Sequence, residues 1–314
     1  MQAIEVKGTR VAFLDEGDGQ PVILLHSSTG SKGQWRDAFA AWQKRYRVIA
    51  PDLLGYGETG PFAGRQPHRL LDEVRIAAAM IARAGRPVHL VGHSYGGAVA
   101  LQTALELGPQ IASLSLIEPT AFYLLAQASA LEPQAPDALA EITAVVSDIE
   151  QALAAGFPLA AAHRFVDYWC GDGAWLRLPS ERKWRISSQM QKVRHDFHTL
   201  LREETALARV AALAVPTLIL CGTNSPRPTR CLSRLIATSV AGAHHRSIAR
   251  AGHMLPITHS EPVNAVVLEH AARVDRQRRA QASGLAADAV PGAKPGTSID
   301  SPPHPPRGRH LAQA

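Results

Sequence analysis

The chain has 314 residues, 46% of them hydrophobic and 19% charged, with a formal net charge of +6; that suits one large domain or two modest ones with an ample core. From Asp275 to Ala314 six Arg/Lys face three Asp, so +3 of the charge lies in that stretch alone. With no basic stripe interleaved with aromatics, a nucleic-acid partner is not expected. The longest apolar run, Val210 to Gly222, is 13 residues with a proline inside, too short for a bilayer. The start, Met1-Gln-Ala-Ile-Glu, lacks a basic segment followed by an apolar one. The expectation is a cytoplasmic protein with no membrane partner. Cys170, Cys221 and Cys231 show no metal-ligand spacing, so a reduced chain is expected, with Cys221 a small buried hydrophobe.

In chain order, Ile4 to Lys7 and Arg10 to Asp15 alternate as an antiparallel strand pair turned at Gly8. Pro21 to His26 is a continuous apolar strand. It runs into the small-residue loop Ser27-Ser28-Thr29-Gly30-Ser31 and then a helix through Trp35, Phe39 and Trp42. Arg47 to Pro51 is a short strand followed by the glycine turn Asp52-Leu-Leu-Gly55-Tyr-Gly57. Leu70 to Ala84 has helical periodicity and stops at Gly85. Val88 to Val91 reads as a strand buried on both faces, and Ile111 to Ile117 as another, ending at Glu118-Pro119. Strands alternating with helices at these lengths imply a doubly wound, mostly parallel sheet.

After Pro119 the alternation stops. Leu139 to Ala155, Ala160 to Trp169 and Glu181 to Glu204 look helical, and no clear strand lies among them. The stretch also carries Phe157, Phe165, Tyr168, Trp169, Trp175, Trp184 and Phe197. Val215 to Cys221 resumes the sheet. Then come a helix from Thr229 to Ala241, a strand from His244 to Ile248 and a closing helix from Val263 to about Arg276. From Gln277 onward the chain is rich in Ala, Pro, Gly and charge, and is expected to be disordered.

Gly92-His93-Ser94-Tyr95-Gly96-Gly97 joins the Val88 strand to a helix beginning near Ala98. Strand, glycine-flanked serine, helix is the context of a nucleophile elbow. The reversal forces the serine into a strained backbone region, and small neighbours relieve the crowding. Its hydroxyl stands clear of the sheet at a helix N-terminus, where backbone N–H groups can meet an oxyanion.

Here the chain resembles the α/β-hydrolase superfamily, over roughly Ala3 to Arg276. The resemblance implies an α/β fold with a mostly parallel, eight-stranded sheet. Residues 1–120 and 205–276 would form its core, 121–204 an inserted helical cap, and 277–314 a tail. It also implies the triad order Ser, then an acid, then His. The histidine after the last strand is His253, in Ala251-Gly252-His253-Met254. Of the other histidines, His93 is expected to pack inside the elbow. His244 and His245 would point to opposite faces of a strand, and His259 would be solvated. No metal site and no cofactor are expected.

In most of the family the acid follows the strand that here is Val215 to Cys221. That loop reads Gly222-Thr-Asn-Ser225, and no Asp or Glu occurs from Thr205 to Ser260. The family's alternative, an acid at the end of the preceding strand, is filled by Glu118, with Asn224 as a neutral rival. The oxyanion donors implied are the backbone N–H groups of Tyr95 and Ser28, with Ser27 standing where the family's His-Gly-x-x-Gly has its first glycine. Asp52 reads as structural. A serine at position 94 argues against epoxide opening and halide displacement, which relatives perform with aspartate.

The expected activity is hydrolysis of a small, largely apolar acyl substrate through Ser94, His253 and Glu118. Cleavage of a carbon–carbon bond next to a carbonyl, acyl transfer, and ligand binding with little turnover are the alternatives. The sequence leaves the oligomeric state open.

Overall fold

A computed structural model describes residues 2–61, 69–128 and 130–288, with the side chains of 284–288 omitted. The described residues fall into two units, divided after Asp275. The first holds an eight-stranded sheet in the order β1-β2-β4-β3-β5-β6-β7-β8. The strands are β1 Gln2–Val6, β2 Thr9–Glu16, β3 Gln20–Leu25, β4 Tyr46–Pro51, β5 Val88–His93, β6 Ile111–Ile117, β7 Thr217–Gly222 and β8 His244–Ile248. β1 and β2 pair antiparallel, as do β2 and β4; every pairing from β4 through β8 is parallel. Val6 faces Thr9 across the first hairpin, whose turn residues Lys7 and Gly8 both have positive φ. That twist matches a two-residue hairpin.

The apolar strand sequences have a structural cause. In β3, Ile23 and Leu25 join the core on one face while Val22 and Leu24 join the core on the other. β7 does the same, with Ile219 on the first face and Leu218 and Leu220 on the second. A strand covered by helices on both sides must be apolar at every position.

One face is covered by α2 Leu70–Ala84, α3 Tyr95–Leu107 and, later in the chain, α10 Arg227–Ser239. The other carries α1 Arg36–Trp42 and the first turns of α12 Ser260–Asp288, through Phe39, Trp42, Val263 and Val267. α2 ends where the sequence stops its periodicity, at Gly85 with φ 72°.

Between β6 and β7 the described chain is helical: α4 Ala135–Ala154, α5 Pro158–Cys170, α6 Ala174–Arg177, α7 Ser180–Ser188, α8 Met190–Arg202 and α9 Leu207–Ala211. The single helix expected over Glu181 to Glu204 is two, divided at Gln189. The Ser187 hydroxyl donates to the Lys183 carbonyl and the Ser188 hydroxyl to that of Arg185. Such back-bonding favours helix ends and bends.

The closing helix also differs from expectation. α12 runs on to Asp288, so residues 277–288 are helical rather than disordered. Arg276-Gln-Arg-Arg-Ala-Gln-Ala consists of good helix formers, which extend the helix although residues 276–283 are exposed. The remainder of the expected tail, 289–314, lies outside the described residues. Among the described residues no helix is long and apolar enough to cross a membrane.

Candidate active site

The site begins at the elbow between β5 and α3. Ser94 has φ 56° and ψ −118°, a strained backbone for a residue with a side chain. Its neighbours are glycines because the chain passes other backbone too closely for a Cβ. A Cβ on Gly96 would lie 2.3 Å from the Leu25 carbonyl oxygen of β3, and one on Gly92 would lie 2.1 Å from the Gly96 carbonyl oxygen. Close packing of α3 onto β3 is therefore what brings Ser94 and the loop after β3 to one sheet edge.

His253 sits in the turn after β8. Its Nε2 is 2.9 Å from Ser94 Oγ and its Nδ1 is 2.6 Å from Glu118 Oε2. All three side chains are buried. Glu118 follows β6 at φ 44°, and its N–H donates to the Leu220 carbonyl at 2.9 Å. The geometry favours Glu118 over Asn224, whose side chain is exposed and donates to the Arg250 carbonyl at 3.4 Å.

The loop after β7, which lacks an acid, still serves the acid from β6. Gly222 N–H donates to Glu118 Oε1 at 2.6 Å, and the Ser225 hydroxyl donates to the same oxygen. Burial pushes the Glu118 carboxyl up, but His253, Ser225 and Gly222 together outweigh it and hold it at about 2. A carboxylate fixed in its ionised form can orient an imidazole and stabilise its protonated form. The sequence reading missed Ser225; the signal was a hydroxyl residue in the loop whose acid is missing.

His93 does more than pack. Its Nε2 donates to the His253 carbonyl at 2.9 Å, and its Nδ1 accepts from Gln34 Nε2 at 3.2 Å. Burial first, and then the nearby His253, lowers it to about 3, so it is neutral and can fill both roles. Gln34 Oε1 in turn accepts from the Ser27 N–H at 3.1 Å and the Ser27 hydroxyl at 2.8 Å. Ser27 thus fits where a glycine was expected, its hydroxyl satisfied by Gln34. His26 braces the same loop, accepting from Leu53 N–H at 2.9 Å and bonding the Ser27 carbonyl at 2.8 Å.

Ser28 lies on this loop and Tyr95 directly after Ser94. The Ser28 hydroxyl donates to Asp196 Oδ2 at 2.6 Å, and Tyr95 OH donates to Glu73 Oε1 at 3.1 Å. Asp52, read as structural, accepts from Lys32 N–H at 2.6 Å, Lys32 Nζ at 2.7 Å and Glu58 N–H at 2.9 Å. It ties two loops together.

A pocket of about 720 Å³, counting its open mouth, lies over Ser94 and His253. Its walls are mainly apolar, with Phe165, Trp169 and Phe197 from the helical insertion. The Trp169 ring sits 4.2 Å from the His253 ring, centroid to centroid. Phe157 and Trp184 are neither core nor lining, being 63% and 74% exposed. Arg182, an exposed residue of α7, also lines this pocket. Among the described residues no group of three or more His, Cys, Asp or Glu is placed to hold a metal ion.

Residues 22–267 match the Alpha/beta hydrolase family. The chain is similar to a soluble epoxide hydrolase of Corynebacterium sp. (strain C12), 32% identical over 103 residues, 32% of this chain and 35% of that protein. It is also similar to 2-hydroxy-6-oxo-6-(2'-aminophenyl)hexa-2,4-dienoic acid hydrolase of Metapseudomonas resinovorans, 34% identical over 102 residues, 31% of this chain and 35% of that protein. The matched segment spans about a third of the length of these curated relatives. Among solved structures, a thermophilic esterase from Thermogutta terrifontis superposes with a TM-score of 0.68 at 22% identity, covering 87% of this chain and 99% of that one.

Proposed function

The chain belongs to the alpha/beta hydrolase family, and from that premise we propose that it is a serine hydrolase cleaving an ester of a small, largely apolar acyl substrate. The observation that carries this reading is the continuous hydrogen-bonded line Ser94 Oγ, His253 Nε2, His253 Nδ1, Glu118 Oε2 at the floor of an apolar pocket.

The chemistry follows from the geometry. Ser94 Oγ attacks the ester carbonyl while His253 Nε2 takes its proton. The buried Glu118 carboxylate stabilises the imidazolium, and the backbone N–H groups of Ser28 and Tyr95 receive the oxyanion. His253 returns the proton to the departing alkoxide, leaving an acyl ester on Ser94. Water then attacks that ester, giving its proton to His253, which passes it to Ser94 Oγ as the acyl–oxygen bond breaks and the acid leaves. Serine suits a carbonyl substrate. An epoxide opened by serine would leave an ether with no carbonyl for water to attack.

The helices between β6 and β7 act as a cap, and the mainly apolar pocket beneath them suits a small substrate. The substrate is a small molecule reached from a cytoplasmic pool.

A second reading, cleavage of a carbon–carbon bond next to a carbonyl, uses the same three residues. It is favoured by Arg182 on the apolar wall, since a guanidinium there can hold a carboxylate bidentately. The relative from Metapseudomonas resinovorans is named for hydrolysis of a dienoic acid. A panel of chromogenic esters of graded acyl length, run beside a β-diketone, tests both. Ester turnover that peaks at short or medium acyl chains supports the first reading; turnover of the diketone alone replaces it with the second. Inertness toward both would contradict each.

A further inference from the structure

One buried ionic network touches the side chains of both residues assigned as oxyanion donors. Starting from Ser28, its hydroxyl donates to Asp196 Oδ2 at 2.6 Å, an oxygen that also accepts from Tyr56 OH at 2.5 Å. The other oxygen of Asp196 accepts from Lys192 Nζ at 2.5 Å. Lys192 Nζ also donates to Glu73 Oε1 at 3.2 Å, the oxygen on which Tyr95 OH ends at 3.1 Å. Glu73 Oε2 accepts from Leu54 N–H at 3.1 Å. The ammonium lies 4.9 Å from the Tyr56 ring centroid and 4.8 Å from that of Tyr95. Asp196 is 1% and Glu73 0% exposed.

The elements involved are distinct. Lys192 and Asp196 stand one turn apart on α8 of the helical insertion. Glu73 comes from α2, Tyr95 from the start of α3, and Ser28 from the loop after β3. Two buried carboxylates sharing one ammonium, whose side chain is 17% exposed, are a poor device for stability alone. Their desolvation is costly, and apolar residues of like volume often hold a core as well or better. What a fully hydrogen-bonded network supplies is fixed position.

We propose that Lys192 and Asp196 are positioning residues that set the spacing of the Ser28 and Tyr95 N–H groups, so that the oxyanion site is complete only while α8 is seated on the core. This rests on the hydrolase reading above. It goes beyond it by placing control of the oxyanion site in the helical insertion, away from Ser94, His253 and Glu118.

The test uses the full chain with a 4-nitrophenyl ester and an arylboronic acid, which forms a tetrahedral adduct on serine. Asp196→Ala is expected to lower kcat about 10- to 100-fold, the scale of a misplaced or lost oxyanion donor. KM should stay within about twofold and the boronic acid should weaken in step with kcat. Ser28→Ala, which removes the tether and leaves the backbone N–H, should act in the same direction. The double variant should be no worse than the stronger single, because both break one connection. An unchanged kcat, a loss confined to KM, or losses that multiply would overturn the proposal. If Asp196→Ala loses cooperative melting, Ser28→Ala decides alone, supporting by a fall in kcat and overturning by its absence. A wild-type protein that neither turns over esters nor reacts with a fluorophosphonate fails the hydrolase reading itself, a result distinct from the outcomes above.

Discussion

Glu118 owes its place to backbone as much as to charge. At φ 44° immediately after β6, its carboxylate turns back across the sheet edge to His253, where a residue in the extended conformation would carry the side chain past it. The loop after β7 then closes over it with the Gly222 N–H and the Ser225 hydroxyl. Replacing Glu118 by Gln should lower kcat on the order of 10⁴-fold, the effect of a triad acid replaced by its amide. Ser225→Ala should lower kcat about tenfold, since a hydrogen bond to a charged group is worth about 1.5–3 kcal/mol and only part bears on the imidazolium. Asn224→Ala should leave kcat unchanged, and steady-state ester kinetics on the three variants checks all of this together. A crippled Asn224→Ala beside a mild Glu118→Gln would reverse the assignment of the acid.

At this scale the sequence was informative where one position has one candidate. Ser94 was legible from its glycines and His253 from its place after the last strand. Glu118 was reached through a gap in the acids. The roles of His93, Gln34 and Asp196 were not legible, because each depends on at least one partner 59 to 168 residues distant in the chain; that of Ser225 was signalled only by the missing acid in its loop. No local pattern encodes such a meeting.

Elements were read well where the hydrophobic period is unambiguous. α2 and β6 have the limits that their periodicity gives, Leu70–Ala84 and Ile111–Ile117. The apolar runs of β3, β5 and β7 are explained by two cores, one on each face. The division of α7 from α8 was hidden because Ser187, Ser188 and Gln189 are tolerated inside helices as well as at their ends. The reach of α12 was hidden because the exposed Arg276 to Gln281 segment shows no apolar stripe, although its residues favour helix.

The elbow gives the prediction that belongs to this scale. Gly96→Ala would place a Cβ 2.3 Å from the Leu25 carbonyl oxygen and 2.5 Å from that of His26. Such overpacking costs typically about 1–3 kcal/mol and shifts backbone. The shift separates α3 from β3, and with it Tyr95 from Ser28. The variant should remain folded with a lowered Tm, while kcat falls by about 100-fold or more. Wild-type turnover in Gly96→Ala would show that the tight crossing does not position the site.

For the whole molecule, buried histidines link stability to pH. Burial and His253 lower His93 to about 3; burial and Arg273 lower His270 to about 4. In the unfolded chain each titrates near 6.5. Between those limits the unfolded state binds protons that the folded state refuses, so stability falls as pH drops from about 6.5 toward about 4. The depressed Glu118 adds to the loss at lower pH, beginning near the ordinary carboxylate value of 4.5 and running down to about 2. His270 donates to the Pro216 carbonyl at 3.3 Å, away from the triad. His270→Gln should therefore make the stability slope between about pH 6 and pH 4.5 shallower by up to about 1.4 kcal/mol per pH unit. Denaturant midpoints taken across that range check it, and an unchanged slope would show that His270 is protonated when folded.

The architecture itself, a doubly wound sheet interrupted by helices before its last two strands, was legible because alternation of strand and helix is a property of the whole chain. What lies under those helices was not, since the same aromatic residues could have been interior, lining or exposed. Phe165 and Trp169 line the pocket, whereas Trp184 faces solvent.

The central claim is that Ser94 is a nucleophile activated by His253 and Glu118. Intact-protein mass spectrometry after reaction with a fluorophosphonate tests it most directly. The account predicts one adduct per chain, located on Ser94, absent in Ser94→Ala and formed far more slowly in Glu118→Gln. A folded wild-type chain that takes no adduct, or takes it on another residue, would contradict it.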